Sequence, residues 1–220
     1  MIRAVVFDLW QTLAVWPEEE SAELRRAWSD AVGVPADRLD EAWLDPDLYP
    51  LREAGPIAHA LAALYERLGI EGEVDGILQR RLEITRRALV PVEGAVSTLR
   101  ELRRRGMRTG LVSNCTEEVA LVWEESPFAG LFDAAVFSAT SGLLKPDPRI
   151  YELACERLDV EPEGCLFVGD GANDELRGAA RVGMTPVLVH HGGAEPVWDG
   201  LRDWPGLRIS AIPQVLELVR

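Results

Sequence analysis

The chain opens on an unbroken apolar run, Ala4-Val5-Val6-Phe7, that stops at a carboxylate, Asp8. Apolar residues without alternation suit a strand buried on both faces, and the run predicts a central strand of an open parallel sheet with Asp8 at its carboxyl end. An aspartate there serves equally well as the cap that begins a turn. After Leu13 the period becomes helical for about 75 residues. Residues 19–32, 56–68 and 74–89 carry apolar side chains at helical spacing, with Leu61, Leu64, Tyr65 and Leu68 the cleanest set. Gly33, Pro35, Pro46, Pro50, Gly55, Gly69 and Gly72 punctuate them. A helical bundle placed straight after the first strand predicts either a lid over that strand's end or a structural subdomain, with Trp16, Trp28 and Trp43 in its core.

From Pro91 helices and strands alternate, the rhythm of right-handed βαβ units. Helices are expected over 94–105, 117–125, 149–158, 175–182 and 213–219, and strands over 108–113, 134–137, 165–168, 186–189 and 208–210. The fold class predicted is therefore α/β: a Rossmann-like parallel sheet core formed by residues 1–13 and 90–220, with a helical cap formed by residues 14–89. Residues 191–206, rich in glycine and proline up to Gly206, read as a loop. Polar side chains gather at the strand ends: Asp8, then Ser113 and Asn114, then Lys145 in a Pro-rich loop, then Asp170 and Asp174.

Composition narrows the chemistry. An apolar content of 47% is ample for a packed interior, and a net charge of −14 repels a phosphate backbone, which argues against nucleic acid as a partner. No apolar run approaches the ~18–20 residues a membrane span needs, so no membrane association is expected and the cytoplasm is the default location. Cys115, Cys155 and Cys165 are odd in number and lack C-x-x-C spacing, which suits reduced thiols. The pair His190-His191 has no third ligand at metal spacing and reads as an exposed strand end. The basic residues are 22 arginines and one lysine, Lys145. Such a bias makes the exception informative, because a compact ammonium fits where a planar guanidinium does not.

Taken in order, these motifs resemble the haloacid dehalogenase superfamily of aspartate-nucleophile hydrolases. The resemblance spans the chain: Asp8 with Thr12 four residues on, the helical insertion, Pro91-x-x-Gly94, Ser113-Asn114, Lys145-Pro146-Asp147-Pro148, Gly169-Asp170 with Asp174, and Gly183-Met184. It implies that Asp8 attacks phosphorus to form an aspartyl-phosphate, which water then hydrolyses. Ser113 and the backbone amide of Asn114 would hold a phosphoryl oxygen, and Lys145 would cancel charge. Asp8, the backbone carbonyl of Trp10 and Asp170 would bind Mg²⁺, with Asp174 acting through water or by orienting Lys145. Asp174 could also cap the helix after it, and Ser113 could be a strand-end cap.

Trp10 departs from the pattern. Most phosphatases of the superfamily place a second aspartate two residues after the nucleophile, as the acid that protonates the leaving alkoxide, and tryptophan cannot do this. The superfamily's 2-haloacid dehalogenases carry tyrosine there. Three readings therefore stand: a Mg²⁺-dependent phosphatase of a small phosphorylated metabolite, a metal-free carbon–halogen hydrolase, and a catalytically weak binding or regulatory protein. Asp8, Asp170 and Asp174 facing one lysine favour the first, because their excess charge calls for a cation.

Overall fold

In the computed structural model, which describes residues 1–71, 75–193, 198 and 200–219, the opening apolar run forms β1 (Ala4–Phe7), completely buried. Four strands follow at or close to the expected places: β2 (Arg108–Ser113), β3 (Ala134–Phe137), β4 (Cys165–Gly169) and β5 (Thr185–Val189). A short last strand, β6 (Leu207–Ile209), completes the set among the described residues. All pair in parallel as one sheet of order β3-β2-β1-β4-β5-β6. The chain leaves β1 toward β2 on one side and comes back to β4 on the other, so the order reverses between β1 and β4. The crevice beyond their carboxyl ends is where open sheets of this kind take ligands.

The helical segment after β1 consists of α1 (Glu18–Val32), α2 (Ala36–Trp43), α3 (Tyr49–Glu53), α4 (Ile57–Leu68) and α5 (Asp75–Ala88). It closes on a hydrophobic cluster of its own that includes Trp28, Leu39, Leu61 and Leu64. Gly33 and Gly69 end α1 and α4 in the left-handed conformation, at φ 68° and 65°, where a side chain would be strained. Helices α2 and α3 are absent from the sequence expectation. Both are short, and Pro50 marks the first turn of α3 rather than a break, because a proline there sacrifices no intrahelical hydrogen bond. The expected start of α5 at residue 74, with Gly72, and Pro196 of the expected loop lie outside the described residues.

The core helices are α6 (Ala95–Arg104), α7 (Glu117–Val122), α8 (Ser138–Ser141), α9 (Pro148–Leu158), α10 (Glu175–Arg181) and α11 (Val215–Leu218). The pleat of β1 divides its side chains between two layers. Val5 and Phe7 pack with Leu99, Leu102, Val119 and Val215, whereas Ala4 and Val6 pack with Ile150, Tyr151, Leu176 and Ala179. This two-sided burial is why β1 reads as a continuous apolar run. The segments entering and leaving the insertion are tied together, since the Val92 amide donates to the Leu13 carbonyl at 2.8 Å and Ala14 bridges Pro91. Between the insertion and the core, Arg81 of α5 and Glu118 of α7 form a buried ion pair. The Ile57 amide, at the start of α4, donates to Glu117 at 2.9 Å. Among the described residues no helix is long and apolar enough to cross a membrane.

Candidate active site

Asp8 follows β1 directly, and its amide donates to the Val168 carbonyl at 2.9 Å, so the ladder carries one residue past the strand and fixes the side chain at the crevice. The Lys145 ammonium donates to Asp8 Oδ1 at 2.5 Å and also to Glu175. Both Asp8 and Lys145 are buried. Asn114, at the end of β2, holds the lysine's backbone from both sides: its Oδ1 accepts from the Lys145 amide at 2.8 Å and its Nδ2 donates to the Lys145 carbonyl at 3.1 Å. The same Nδ2 donates to the Tyr49 hydroxyl at 3.1 Å, joining this loop to α3 of the insertion. Ser113 is fully buried, its hydroxyl 3.4 Å from the Asn114 carbonyl. The structure thus brings Asp8, Ser113, Asn114, Lys145 and Asp170 to one edge of the sheet.

It does not bring Asp174 there. Gly171, Asn173 and Asp174 turn through the left-handed region at φ 91°, 53° and 56°, which points the Asp174 carboxylate toward Arg177 at 3.0 Å and Arg181 at 3.5 Å. It caps no amide of α10 either. The place expected for Asp174 belongs to the next residue. Glu175 is fully buried; Oε1 accepts from the Gly171 amide at 2.9 Å while its other oxygen takes the Lys145 ammonium. A Cβ on Gly169 would fall 2.1 Å from Glu175 Oε1, so the glycine that ends β4 is what leaves room for this carboxylate. Sequence reasoning missed Glu175 because two acids stand side by side and the turn decides between them. The available signal was Gly169, a glycine ending an otherwise bulky strand.

Asp170 Oδ1 accepts from the Ala172 amide at 3.0 Å and Oδ2 from the Trp198 indole at 2.7 Å. Among the described residues, Asp8, Asp170 and Glu175 each offer an oxygen within 4.8 Å of the others. Burial pushes Glu175 up to about 8 against the pull of Lys145, and Asp8 and Asp170 push the same way. Burial likewise raises Asp8, opposed by Lys145 and reinforced by Asp170. Burial disfavours the Lys145 ammonium, yet Asp8 and Glu175 together hold its pKa above the ordinary lysine value. Three carboxylates around one ammonium leave negative charge that only a proton or a further cation can balance.

Trp10 is half-buried, its ring edge-on to Trp16 with centroids 5.0 Å apart. Trp16 is therefore not in the core of the insertion, as its sequence context suggested, but at a cleft between the insertion and the sheet. A cavity of about 330 Å³ lies there, lined by Trp10, Trp16, Trp28, Trp43 and Asn114. Tyr49 and Trp198 are further contacts that the motif pattern did not single out, since both come from outside the strand ends. His59 is exposed on α4, and a ring nitrogen of His191 lies 2.8 Å from the Thr12 carbonyl.

Set against known families, residues 2–183 match the model of the haloacid dehalogenase-like hydrolases. The chain belongs to that family. This haloacid dehalogenase-like hydrolase is 30% identical to a glyceraldehyde 3-phosphate phosphatase of Methanopyrus kandleri, over 100% of its length and 98% of the relative's. It is 29% identical to (S)-2-haloacid dehalogenase 4A of Burkholderia cepacia, over 90% of its own length and 87% of the relative's. Its fold superposes on a HAD phosphatase from Thermococcus onnurineus with a TM-score of 0.72 at 22% identity, over 99% of this chain and 98% of that one. Both phosphatases and dehalogenases therefore stand among its relatives, and the hydrolase class is common to them.

Proposed function

We propose that this hydrolase is a Mg²⁺-dependent phosphatase that acts on a small phosphorylated molecule through an aspartyl-phosphate on Asp8. The observation that carries this reading is the cluster of Asp8, Asp170 and Glu175 around one lysine. The donor set fits the ion, since Mg²⁺ prefers hard oxygen ligands and retains several waters. By the family resemblance, Asp8, Asp170 and the backbone carbonyl of Trp10 are the groups that would hold it, with Glu175 beside them on Lys145 and Gly171. Bound there, the ion supplies positive charge between the anionic nucleophile and the phosphate dianion.

The chain's own residues do the rest. Lys145, oriented by Glu175 and by the Asn114 clamp, cancels charge on the phosphoryl group; Ser113 and the Asn114 amide hold one of its oxygens. Asp8 attacks phosphorus and the ester oxygen departs, after which water releases phosphate and restores the carboxylate. The phosphatase relatives support the assignment. Carbon–halogen hydrolysis is the second reading, favoured by the dehalogenase relatives and by the aromatic residue at Trp10. Asp170, a further buried carboxylate beside Asp8, tells against it, because added negative charge hinders displacement of halide by Asp8 unless a cation balances it.

A panel of phosphate esters and 2-haloacids, each with and without Mg²⁺, tests the assignment. Mg²⁺-dependent phosphate release is expected; halide release that ignores Mg²⁺, with no phosphate release, would overturn it.

A further inference from the structure

The cleft beside Trp10 has four tryptophans in its lining, beside polar residues that include Ser21, Asp40, Asn114 and Thr116. Its lining carries two edge-on tryptophan pairs, Trp10 with Trp16 at 5.0 Å and 65°, and Trp28 with Trp43 at 5.1 Å and 78°. Trp10 and Trp16, both half-buried, present ring face and edge to whatever enters, while Trp28 is buried and the Arg81 guanidinium lies over the Trp28 and Trp43 rings. The cleft also borders the reacting edge: Trp10 stands two residues beyond Asp8, and Asn114 adjoins Ser113. Its volume, about 330 Å³, is at the small end for organic ligands and suits one compact ring system.

The charges in the lining are already matched. Arg25 faces Asp40 at 3.6 Å, and Arg81 pairs with Glu118 while lying over the Trp43 ring at 4.7 Å. Glu53 pairs with Arg52 at 3.0 Å. A second anionic group on the substrate would have to compete with these carboxylates for a cation.

We infer that the group attached to the substrate's phosphate is a flat, uncharged aromatic ring, so that the preferred substrates are aryl phosphates. The inference rests on the reading of Asp8 as a phosphoryl acceptor, and it explains why Trp10 can stand where an acid would otherwise be needed. As Asp8 forms its bond to phosphorus, the phosphorus–oxygen ester bond breaks and its electron pair leaves on the aryl oxygen. That anion is delocalised into the ring and departs without a proton from the enzyme. Water then adds to phosphorus, the bond to Asp8 breaks, and inorganic phosphate leaves with the water's proton released to solvent. The tryptophan lost as an acid is regained as a wall for the leaving ring.

The test measures binding apart from turnover. Naphthylmethylphosphonate, 4-carboxybenzylphosphonate and propylphosphonate, none of which can be cleaved at this bond, are titrated into the whole protein with Mg²⁺ while tryptophan fluorescence is followed. The naphthyl compound is expected to bind about tenfold tighter than the propyl one, and the carboxylated ring more weakly than the neutral ring. Trp16→Ala should bring the aryl-to-alkyl ratio toward one and Trp16→Phe should restore most of it, which separates loss of a ring face from loss of the fold. Equal affinities, or a preference for the carboxylated ring, would overturn the inference. Phosphate release from naphthyl phosphate, glyceraldehyde 3-phosphate and phosphoserine is read in parallel. An aryl binding preference without release from any ester sinks the phosphatase reading and keeps the ring pocket. Rapid release from glyceraldehyde 3-phosphate with no aryl preference does the reverse.

Discussion

The Glu175 carboxylate accepts directly from the Lys145 ammonium, although Asp174, one residue earlier, is the acid that the spacing of the motif singles out. Exchanging Glu175 for glutamine keeps its shape and removes the charge that orients the lysine. Losses on removing such supporting groups are typically about 10–100-fold, so Glu175→Gln should lower kcat by that order while Asp174→Asn stays close to wild type. Steady-state phosphatase assays of the two variants decide it. A severe loss in Asp174→Asn with an active Glu175→Gln would mean that the loop rearranges when it binds its ligands.

Lys145→Arg is expected to abolish turnover despite keeping the charge. The ammonium is buried between two carboxylates with its backbone clamped by Asn114, and a broad planar guanidinium cannot occupy that space without displacing Asp8 or Glu175. Circular dichroism accompanies the assay, to show that the variant remains folded.

Metal-free protein should lose stability as pH rises. The folded state keeps the Glu175 proton up to about 8, whereas the unfolded carboxyl releases it near 4.5, so over that window the unfolded chain binds fewer protons. The raised Asp8 carboxyl acts in the same direction. Urea midpoints measured from pH 4.5 to 8 should fall, then level off above. Glu175→Gln should flatten the slope, and so should saturating Mg²⁺, which replaces the proton as the balancing charge.

Mg²⁺ itself should raise the melting temperature. A ligand present at a hundred times its Kd stabilises by about 2.7 kcal/mol, which for a chain of this size corresponds to roughly 5–10 °C. Asp170→Ala should remove the response. Scanning calorimetry with and without millimolar Mg²⁺ measures both, and an unresponsive wild type would take away the main support for the metal-dependent reading.

The fifth prediction concerns Trp10. Rates should depend steeply on leaving-group pKa, with alkyl phosphates slow, because acid assistance is worth about 10²–10⁴-fold and no acid stands at this position. Trp10→Asp should raise turnover of alkyl phosphates. A flat leaving-group series in the wild type would show that another group supplies the proton.

The parts of this architecture that could be read in advance are those where one requirement dominates. The central strand was legible because Ala4 to Phe7 must satisfy two apolar layers at once, and Lys145 because every other basic residue is arginine. The Asp8, Ser113 and Asp170 positions followed from strand ends sharing one edge. What stayed hidden depends on local geometry or on distant packing. The choice between Asp174 and Glu175 is made by two left-handed residues, Asn173 and Asp174, whose side chains tolerate that conformation without requiring it. Trp16 looked like a core residue because periodicity reports burial without saying which surface does the burying. Tyr49 escaped notice because its helix is five residues long and lies beside prolines.

The buried pair between Arg81 and Glu118 has a mechanical consequence. Removing one partner of such a pair strands the other charge in the interior at a cost of about 3–5 kcal/mol, so the seam between α5 and α7 depends on both being kept. The hydrogen bond between the Val92 amide and the Leu13 carbonyl ties together the two segments that enter and leave the insertion. The Tyr49 contact with Asn114 and the Ile57 contact with Glu117 fasten α3 and α4 to the same face of the core. At the cleft's rim by α1 and α2, Arg25 is partly open to solvent and Leu44 is exposed, and on the proposed reading it is by that rim that a ring would enter and its phenolate leave.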